Sequence, residues 1–318
     1  MALFLTDDEV GRALSMDDCL SGLREAFTGG YDLMPRWRGR APEGTIGVYN
    51  VMAASVPDMG YMGLKSYAWV KGGRLRFHVL LYSWATGALE AVLEADRLGQ
   101  IRTGAASGLA TDVLARGDAR VVGCIGAGHQ AFYQIAAVAA VRELAEVRVT
   151  SRRPERAQAM ADRVQSSLGV AARAVASAQE AVAGADVAIT ITSASNPVLL
   201  GEWLAPGMHV NAAGSNVAHH RELDEAAVLR ADRIVVDDRA EAQAECGDLI
   251  AVIQAGRLAW DRAENLADVV AGRLAGRSRA DEITLFESQG LAAEDVAAAA
   301  RAVANARKLS LGQEMAIG

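Results

Sequence analysis

The segment from residue 121 to residue 131 combines an apolar run with the glycine spacing of a phosphate-binding turn. After the run, Gly126, Gly128 and Ala131 form a G-x-G-x-x-A pattern. Gly126 allows a tight turn, Gly128 lets the backbone approach a pyrophosphate, and Ala131 lets the next helix pack close to its strand. The free N–H groups at the start of that helix would bind the phosphates. Taken alone, the pattern fits an ordinary strand-to-helix turn equally well.

A hydroxyl and two guanidinium groups stand where a dinucleotide-binding fold contacts the adenosine ribose. About 20 residues beyond the glycines, a carboxylate usually accepts a hydrogen bond from the ribose 2′-hydroxyl. This chain instead has Ser151, Arg152 and Arg153. Guanidinium groups suit a dianionic 2′-phosphate, which a carboxylate would repel, so the sequence favours NADP(H) over NAD(H). The alternative is a solvated helix start before Pro154.

Other candidate cofactor contacts lie at the glycine turn and after the fourth strand of the same region. His129 and Gln130 lie within the turn and are predicted to lie beside the diphosphate. Ser193 and Ser195 follow the fourth strand, and ligands collect at the carboxyl ends of parallel strands. Each serine is equally compatible with a loop hydroxyl that caps backbone groups.

Strands and helices alternate from residue 121 onwards, which makes dinucleotide binding the better interpretation of the glycine turn. This alternation is typical of a doubly wound parallel sheet of the Rossmann type, in the α/β class. The predicted strands are 121–125, 147–150, 172–175, 186–192, 208–213 and 233–236, and the predicted helices are 129–141, 154–166, 177–183, 222–229 and 239–255. A further strand near residues 283–290 is expected to cross back to the first domain or to the nicotinamide end of the cleft, before a helix over 292–307.

The first hundred residues predict an α+β domain. A strand at Leu3–Leu5 precedes two helices, for which Thr6 and Ser15 are the predicted N-caps. Runs rich in β-branched and aromatic residues then predict an antiparallel or mixed sheet with hairpin turns. These runs are 47–52, 63–70, 76–83 and 89–94. The following segment, 102–110, is a helix crowded with small residues, so another element must pack closely against it.

Composition indicates a two-domain globular protein and excludes several classes of partner. The chain has 318 residues, 51% of them hydrophobic, and a net charge of -7, which disfavours nucleic acid and anionic membranes. Cys19, Cys124 and Cys246 are far apart and lack metal-ligand spacing, so we expect buried thiols, a reducing compartment and no metal site. The N-terminus lacks a basic signal region and no apolar run reaches about 18 residues, so a cytoplasmic location is expected.

Five motifs in order resemble those of the ornithine cyclodeaminase and mu-crystallin family, over nearly the whole chain. The motifs are Arg-Thr-Gly-Ala-Ala-Ser at 102–107, the turn at 126–131, Glu-Ala-Val-Ala-Gly-Ala-Asp at 180–186, Gly-Ser-Asn at 214–216 with Arg-Glu-Leu-Asp at 221–224, and Ile-Thr-Leu-Phe-Glu-Ser-Gln-Gly at 283–290. The resemblance implies a nicotinamide cofactor, small amino-acid, imino-acid or keto-acid substrates, and a homodimer. It also implies a substrate and dimerisation domain over residues 1–110 and 291–318, and a Rossmann domain over 111–290.

The resemblance assigns chemistry to three basic residues. From its neighbours alone, Lys65 would be a lysine snorkelling at a sheet edge, but the family has a lysine on this strand that contacts the substrate carboxylate or the reacting nitrogen. Burial would lower its pKa, so that it could deliver a proton to nitrogen as hydride reaches carbon. Arg102 and Arg36 match the residues that hold the carboxylate. Without the resemblance, residues 36–40 are simply a basic loop.

Asn216 is the catalytic position at which this chain departs from ornithine cyclodeaminases, which carry an aspartate there. An amide accepts no proton near neutral pH and gives no charge pairing to a substrate ammonium. Mu-crystallin-like ketimine reductases also lack the aspartate. His78, His219 and His220 are alternative proton donors, and each is also compatible with a structural or solvated histidine.

Two residues of the last strand, Thr284 and Ser288, are expected by resemblance at the nicotinamide edge. Together these features predict a cytoplasmic oxidoreductase that reduces a small carboxylate-bearing ketimine to an amino acid, or catalyses the reverse amino-acid dehydrogenation. The alternatives are an ornithine cyclodeaminase, which forms proline and ammonia, and a cofactor-binding protein without major turnover.

Overall fold

The chain forms two structural units in the computed structural model, which describes residues 1–39 and 41–317. The N-terminal unit comprises residues 1–102 together with residues 291–318, and the central unit comprises residues 103–290. The boundary after Arg102 falls inside a single long helix.

The helices and strands occur in the following order along the chain. The first part contains β1 (Ala2–Leu5), α1 (Asp7–Ala13), α2 (Met16–Gly29), β2 (Asp32–Gly39), β3 (Gly47–Val56), β4 (Tyr61–Val70), β5 (Arg76–Ser83), β6 (Leu89–Glu94) and α3 (Asp96–Leu114). The middle part contains β7 (Val121–Ile125), α4 (Ala131–Val141), β8 (Glu146–Thr150), α5 (Pro154–Leu168), β9 (Ala172–Ala174), α6 (Ala178–Val182), β10 (Val187–Thr190), β11 (His209–Ala212), α7 (Glu225–Arg230), β12 (Arg233–Val236), α8 (Arg239–Glu245), α9 (Gly247–Gln254), β13 (Ala263–Asn265), α10 (Leu266–Val270) and β14 (Thr284–Glu287). The last elements are α11 (Ala292–Lys308) and β15 (Gln313–Met315).

A mixed seven-stranded sheet forms the core of the N-terminal unit, in the order β15-β1-β6-β5-β4-β3-β2. The helix α11 packs against β3, β4 and β5 and against α1 and α2. Side chains of β3 and β5 alternate, so that Met52, Ala54, Val79 and Leu81 are buried while their neighbours are not. The sheet, the two hairpin turns and the N-caps at Thr6 and Ser15 are confirmed, and each N-cap is part of a capping box.

The interpretation of residues 36–40 as a basic loop is wrong for the residues that the structure describes. Arg36 lies on β2, an edge strand antiparallel to β3, at a register shift between Met34 and Trp37. Arg40 lies outside the described residues. The local sequence hides the strand because both of its faces are at least partly exposed, so it shows no alternation of apolar and polar residues.

The central unit contains the predicted doubly wound sheet. Its eight strands are all parallel, in the order β13-β12-β14-β11-β10-β7-β8-β9. The strand expected near 283–290 is β14, which lies between β11 and β12 and pairs with both. From residue 291 the chain belongs to the N-terminal unit again, in agreement with the expected return to the first domain. The predicted helix over 239–255 is interrupted at Cys246, which has an extended backbone.

All three cysteines are buried, as predicted. Across residues 1–39 and 41–317, none of the helices has both the length and the apolar character to cross a bilayer.

The small residues of α3 allow close packing inside the central unit, as the sequence predicted. A Cβ atom at Gly104 would lie 2.3 Å from the backbone oxygen of Tyr133 on α4. Ala105 and Ala106 are fully buried. The two helices therefore approach each other closely at Gly104.

We predict that Gly104→Ala lowers the free energy of unfolding by about 1–3 kcal/mol, because the new methyl group would overlap a backbone carbonyl that has little freedom to move. Urea denaturation measures this change. Gly117→Ala is the matched control, because a Cβ there meets nothing within 4 Å, and it should change stability by less than about 0.5 kcal/mol. Equal stability of both variants would contradict the close packing.

Candidate functional site

A pocket of about 500 Å³ lies in the central unit at the carboxyl ends of β7, β8 and β10. Ligands of doubly wound sheets bind at this edge. Six predicted cofactor-binding residues line the pocket: Gly126, Gly128, Ser151, Arg152, Arg153 and Ser193. The pocket therefore brings the glycine turn, the Ser-Arg-Arg segment and the loop after the fourth strand together.

Positions 126 and 128 of the turn are occupied by glycine for different structural reasons. Gly126 has φ of +120°, and a Cβ there would lie 2.3 Å from the backbone oxygen of Ile191. A Cβ at Gly128 would meet no atom within 4 Å and would occupy the space that the pocket offers. The fold thus requires glycine at 126, whereas at 128 glycine leaves room for a ligand to approach the backbone, as a pyrophosphate needs.

The last three residues of the turn, from 129 to 131, are not among the residues that line this pocket. Ala131 is fully buried and begins α4. His129 is exposed, and Gln130 is the N-cap residue of α4 without a side-chain cap. The buried Oε1 atom of Gln130 has no hydrogen-bond partner among the described residues.

Basic residues and hydroxyl groups line the far end of the pocket. The Ser151 hydroxyl accepts a hydrogen bond from the Arg153 N–H at 3.3 Å. Arg156, in the first turn of α5, lines the pocket beside Arg152 and Arg153. Arg156 was not predicted as a pocket residue, although the sequence places it just after Arg152, Arg153 and Pro154. None of the described residues that line this pocket carries a carboxylate.

Thr284 and Ser288 lie at opposite ends of β14. Thr284 is the first residue of β14, and its hydroxyl donates to the Leu114 carbonyl and contacts a ring nitrogen of His209. Its expected place at the nicotinamide edge is therefore wrong, since ligands bind at the carboxyl ends. Ser288 follows the carboxyl end of β14, where its hydroxyl donates to Asp237 at 3.1 Å.

A buried carboxylate, Glu222, joins the loops at the carboxyl edge, a role that the sequence analysis missed. Its side chain is 1% exposed and accepts hydrogen bonds from the Thr192 N–H and hydroxyl at 2.7 and 2.6 Å. It also accepts from the Gly214 N–H at 2.7 Å and the Thr190 hydroxyl at 3.1 Å. Asp248 in turn accepts from the Glu222 N–H at 3.0 Å. Burial raises the pKa of Glu222 and of Asp248.

A cluster of buried charges in the N-terminal unit contains two of the predicted catalytic residues. Lys65 on β4 donates to Asp295 Oδ1 at 2.9 Å, and Arg102 on α3 donates to the same oxygen at 3.0 Å. Arg102 also donates to Glu294 Oε2 at 2.7 Å. All four side chains are at most 8% exposed. Neither acid was recognised in the sequence, where both look like the ordinary acidic first turn of α11.

The environment of Lys65 makes its ammonium easier to deprotonate. Burial is the largest cause and, with the charges of Arg102 and Arg36, lowers the pKa of Lys65 to about 8, while Asp295 opposes the shift. The Nζ atom lies 5.2 Å from the centre of the Phe77 ring. Lys65 is therefore not the snorkelling edge lysine that its neighbours suggested, but a buried group that can lose or gain a proton near neutral pH.

Two further predicted site residues, Arg36 and His78, lie on strands of the N-terminal sheet. Arg36 donates to the Met52 sulfur at 3.3 Å, and Met52 pairs with Lys65 across β3 and β4. His78 lies on the opposite face of the sheet from Lys65, because Lys65 pairs with Val79 and side chains alternate along a strand. The prediction that His78 is an alternative proton donor in the substrate site is therefore wrong if Lys65 marks that site, because the two side chains lie on opposite faces.

The loop after β11 carries the other candidates, in the central unit. Asn216 is half-buried, His219 is exposed and His220 is half-buried. The two imidazole rings pack edge to face, with centres 4.8 Å apart. This loop begins at Gly214, which Glu222 holds.

The chain is similar to imine reductases and amino-acid dehydrogenases over most of its length. Residues 1–309 match the model of the ornithine cyclodeaminase/mu-crystallin family. Delta(1)-pyrroline-2-carboxylate reductase of Bacillus cereus (strain ZK / E33L) is 40% identical over 219 residues, which are 69% of this chain and 67% of the relative. The same enzyme of Thermococcus litoralis, solved in complex with NADH and L-proline, has a TM-score of 0.92 at 33% identity and covers 98% of this chain and 100% of its own. An archaeal alanine dehydrogenase dimer with bound NAD has a TM-score of 0.91 at 32% identity, over 100% and 99% of the two chains.

We predict that Glu222→Gln destabilises the central unit by about 2–4 kcal/mol, because the amide supplies only one acceptor oxygen and brings two donors to a site filled with donors. Denaturant unfolding measures this loss. Glu225→Gln is the matched control, since the Glu225 side chain is 43% exposed in an ion pair with Arg257 and should contribute less than about 1 kcal/mol. A Glu222 variant as stable as the control would show that the carboxylate does not hold these loops.

Proposed function

Because the chain belongs to the ornithine cyclodeaminase/mu-crystallin family, we propose that it reduces a small carboxylate-bearing imine to an amino acid with a nicotinamide cofactor, or catalyses the reverse dehydrogenation. Its relatives include a reductase of a cyclic imine and a dehydrogenase of an amino acid. The chain is an oxidoreductase of the same kind, acting on carbon–nitrogen bonds. The observation that carries the proposal is the buried pair of cations, Lys65 and Arg102, on one carboxylate oxygen.

The two units have separate tasks in this proposal. The central unit binds the cofactor, with Gly126, Gly128 and the start of α4 at the diphosphate and Ser193 along the pocket wall. His129, Gln130 and Ala131 support the same turn, and Ser288 remains a candidate contact at the carboxyl edge. The N-terminal unit binds the substrate.

The three predicted catalytic cations of the N-terminal unit have distinct roles in the proposed reaction. Arg102, oriented by Asp295 and Glu294, binds the substrate carboxylate, and Arg36 supports it from β2. The Lys65 ammonium gives its proton to the imine nitrogen, which leaves the lysine side chain as a neutral amine. In the reverse reaction this neutral lysine takes a proton from the nitrogen of the amino acid. The nicotinamide, when bound, supplies the hydride that the imine carbon receives.

The substrate is proposed to be a cyclic ketimine such as pyrroline-2-carboxylate. The similarity to two reductases of that compound supports this choice. Asn216 disfavours ornithine cyclodeamination, because an amide neither pairs with a substrate ammonium as a carboxylate does nor accepts its proton. Reductive amination of pyruvate is the second candidate, supported by the similarity to alanine dehydrogenase over the whole chain.

The cofactor is proposed to be NADP(H). The similar structures named above hold NADH and NAD. The pocket of this chain, however, is lined by Ser151, Arg152, Arg153 and Arg156, and its described lining contains no carboxylate that would accept from a ribose 2′-hydroxyl. Guanidinium groups and a hydroxyl suit a 2′-phosphate.

We also propose that the protein is a homodimer formed through the open face of the N-terminal sheet. An apolar cavity of about 630 Å³ lies on that face, lined in part by Met34, Met62, Tyr82 and Trp84. The side chains of Met34 and Trp84 are 46% and 52% exposed. Large apolar side chains exposed together on a surface mark an interaction site. The similar alanine dehydrogenase is a dimer.

We predict that the protein oxidises NADPH in the presence of pyrroline- or piperideine-2-carboxylate, and that Lys65→Met lowers kcat at least about 100-fold, because the proton donor is removed. Absorbance at the nicotinamide band measures turnover. Lys71→Met is the matched control, since Lys71 is exposed in a hairpin turn, and it should keep the parental rate. No turnover with these ketimines or with pyruvate and ammonia would refute the proposal. Release of ammonia from ornithine without net cofactor change would support a cyclodeaminase instead.

We predict that Arg152→Ser raises KM for NADPH about tenfold or more and leaves KM for NADH within about twofold, because a charge-assisted hydrogen bond to phosphate is worth about 1.5–3 kcal/mol. Initial rates with both cofactors measure the two values, and NADH serves as the internal control. Equal changes for the two cofactors would mean that Arg152 does not contact the 2′-phosphate.

A further inference from the structure

A single oxygen atom connects two buried cations of the N-terminal unit, Lys65 and Arg102. Asp295 Oδ1 accepts from Lys65 Nζ at 2.9 Å and from Arg102 Nε at 3.0 Å. Asp295 is 1% exposed, and its Oδ2 atom has no hydrogen-bond partner among the described residues. The acid therefore directs both donors to one point.

We propose that Asp295 is a positioning residue of the reaction: its Oδ1 atom holds Lys65 beside Arg102 and keeps the lysine protonated, so that it can deliver a proton to a substrate whose carboxylate Arg102 binds. This inference rests on the proposed function for the roles of Lys65 and Arg102. The inference goes beyond the proposed function by assigning a role to Asp295, which acts through Lys65 and Arg102.

The shared acceptor fixes the spacing that an α-imino acid requires. Two donor atoms that each lie within hydrogen-bond distance of one oxygen are at most about 6 Å apart. In an α-imino acid the carboxylate and the imine nitrogen are attached to the same carbon. The carboxylate anchor and the proton donor must therefore be close neighbours, which two like charges resist unless an anion lies between them.

The charges around Lys65 show why an anion is needed there. Arg102 from α3 and Arg36 from β2 both disfavour a third positive charge, and burial disfavours any charge. The Phe77 ring on β5 is the aromatic contact of the ammonium. Among the described residues, Asp295 is the one carboxylate that hydrogen-bonds Lys65, while its neighbour Glu294 bonds Arg102.

The adjacent acid provides the control that separates this role from simple structural pairing. Glu294 and Asp295 follow each other on α11, are equally buried, and both bond Arg102. If the acids only tie α11 to the sheet, the two amide variants should behave alike. If Asp295 sets the protonation state of Lys65, the amide variant of Asp295 should lower the pKa of Lys65 more than the amide variant of Glu294 does.

The lysine content of the chain makes a direct measurement possible. Lys65, Lys71 and Lys308 are its three lysines, so the full chain labelled with ε-13C-lysine gives three NMR signals, of which Lys71→Arg and Lys308→Arg assign two. We expect Asp295→Asn to lower the pKa of Lys65 by about 1–3 units from the parental value, because an opposite charge at hydrogen-bond distance is removed. Glu294→Gln should lower it by less than half as much. An unchanged or raised pKa in Asp295→Asn would overturn the inference, and this result does not depend on any activity.

The pH dependence of turnover tests the functional consequence. Lys65 donates only while it is protonated, so kcat/KM for ketimine reduction should fall as the pH rises above about 8 in the parent. In Asp295→Asn this fall should occur at lower pH, by the same number of units as the NMR shift, with kcat at pH 8 about tenfold or more below the parent. A fall that stays at the parental pH while the pKa of Lys65 moves would overturn the inference.

A second variant keeps the test decisive should Asp295→Asn fail to fold. Asp295→Glu retains the charge but moves it by one methylene, so it should keep the pKa of Lys65 within about half a unit of the parent and still lower kcat. Unchanged kcat and KM in Asp295→Glu would refute a positioning role. If the parent shows no turnover with any substrate of the panel while the NMR shift is found, the proposed function fails and the effect of Asp295 on Lys65 stands.

Discussion

The pairing of Lys65 and Arg102 with one buried acid is the interaction on which the N-terminal unit depends. Two cations with no more than 8% exposure have lost most of their water, and such charges are tolerated only when they are paired and hydrogen-bonded. The acid comes from α11, near the other end of the chain, and the cations come from β4 and α3. The position of α11 over β3, β4 and β5 therefore serves both the packing of the sheet and the chemistry of the lysine.

In the central unit, a buried carboxylate pairs with the loops at the carboxyl ends of the parallel strands. Loops that leave parallel strands carry unpaired N–H groups, and Glu222 accepts from two of them and from two hydroxyl groups. The same carboxylate fixes the loop that begins at Gly214 and leads to Asn216. A buried acid thus organises each unit, although one supports a cation cluster and the other supports backbone.

Local signals predicted the elements well and their neighbours in space poorly. The alternation of strands and helices, the glycine turn and the N-caps at Thr6 and Ser15 depend on residues close in sequence, and each was found where expected. The edge strand β2 and the insertion of β14 between β11 and β12 depend on pairing with distant strands, for which periodicity carries no information. His78 was misplaced for the same reason, because its face of the sheet follows from the register of β4 against β5.

The fold class, the family, the glycine turn and the chemical groups available, including Lys65, Arg102 and Asn216, could all be read from the amino-acid sequence. Those features depend on residue type and on short spacings that the backbone geometry of one strand or helix imposes. Which acid meets which base depends on how distant segments of the chain pack together. Glu294 and Asp295 look alike in the sequence, but α11 brings Glu294 to Arg102 and brings Asp295 to both Lys65 and Arg102, across about 200 residues of chain. Desolvated charges must find their partners in space, whatever the distance along the chain.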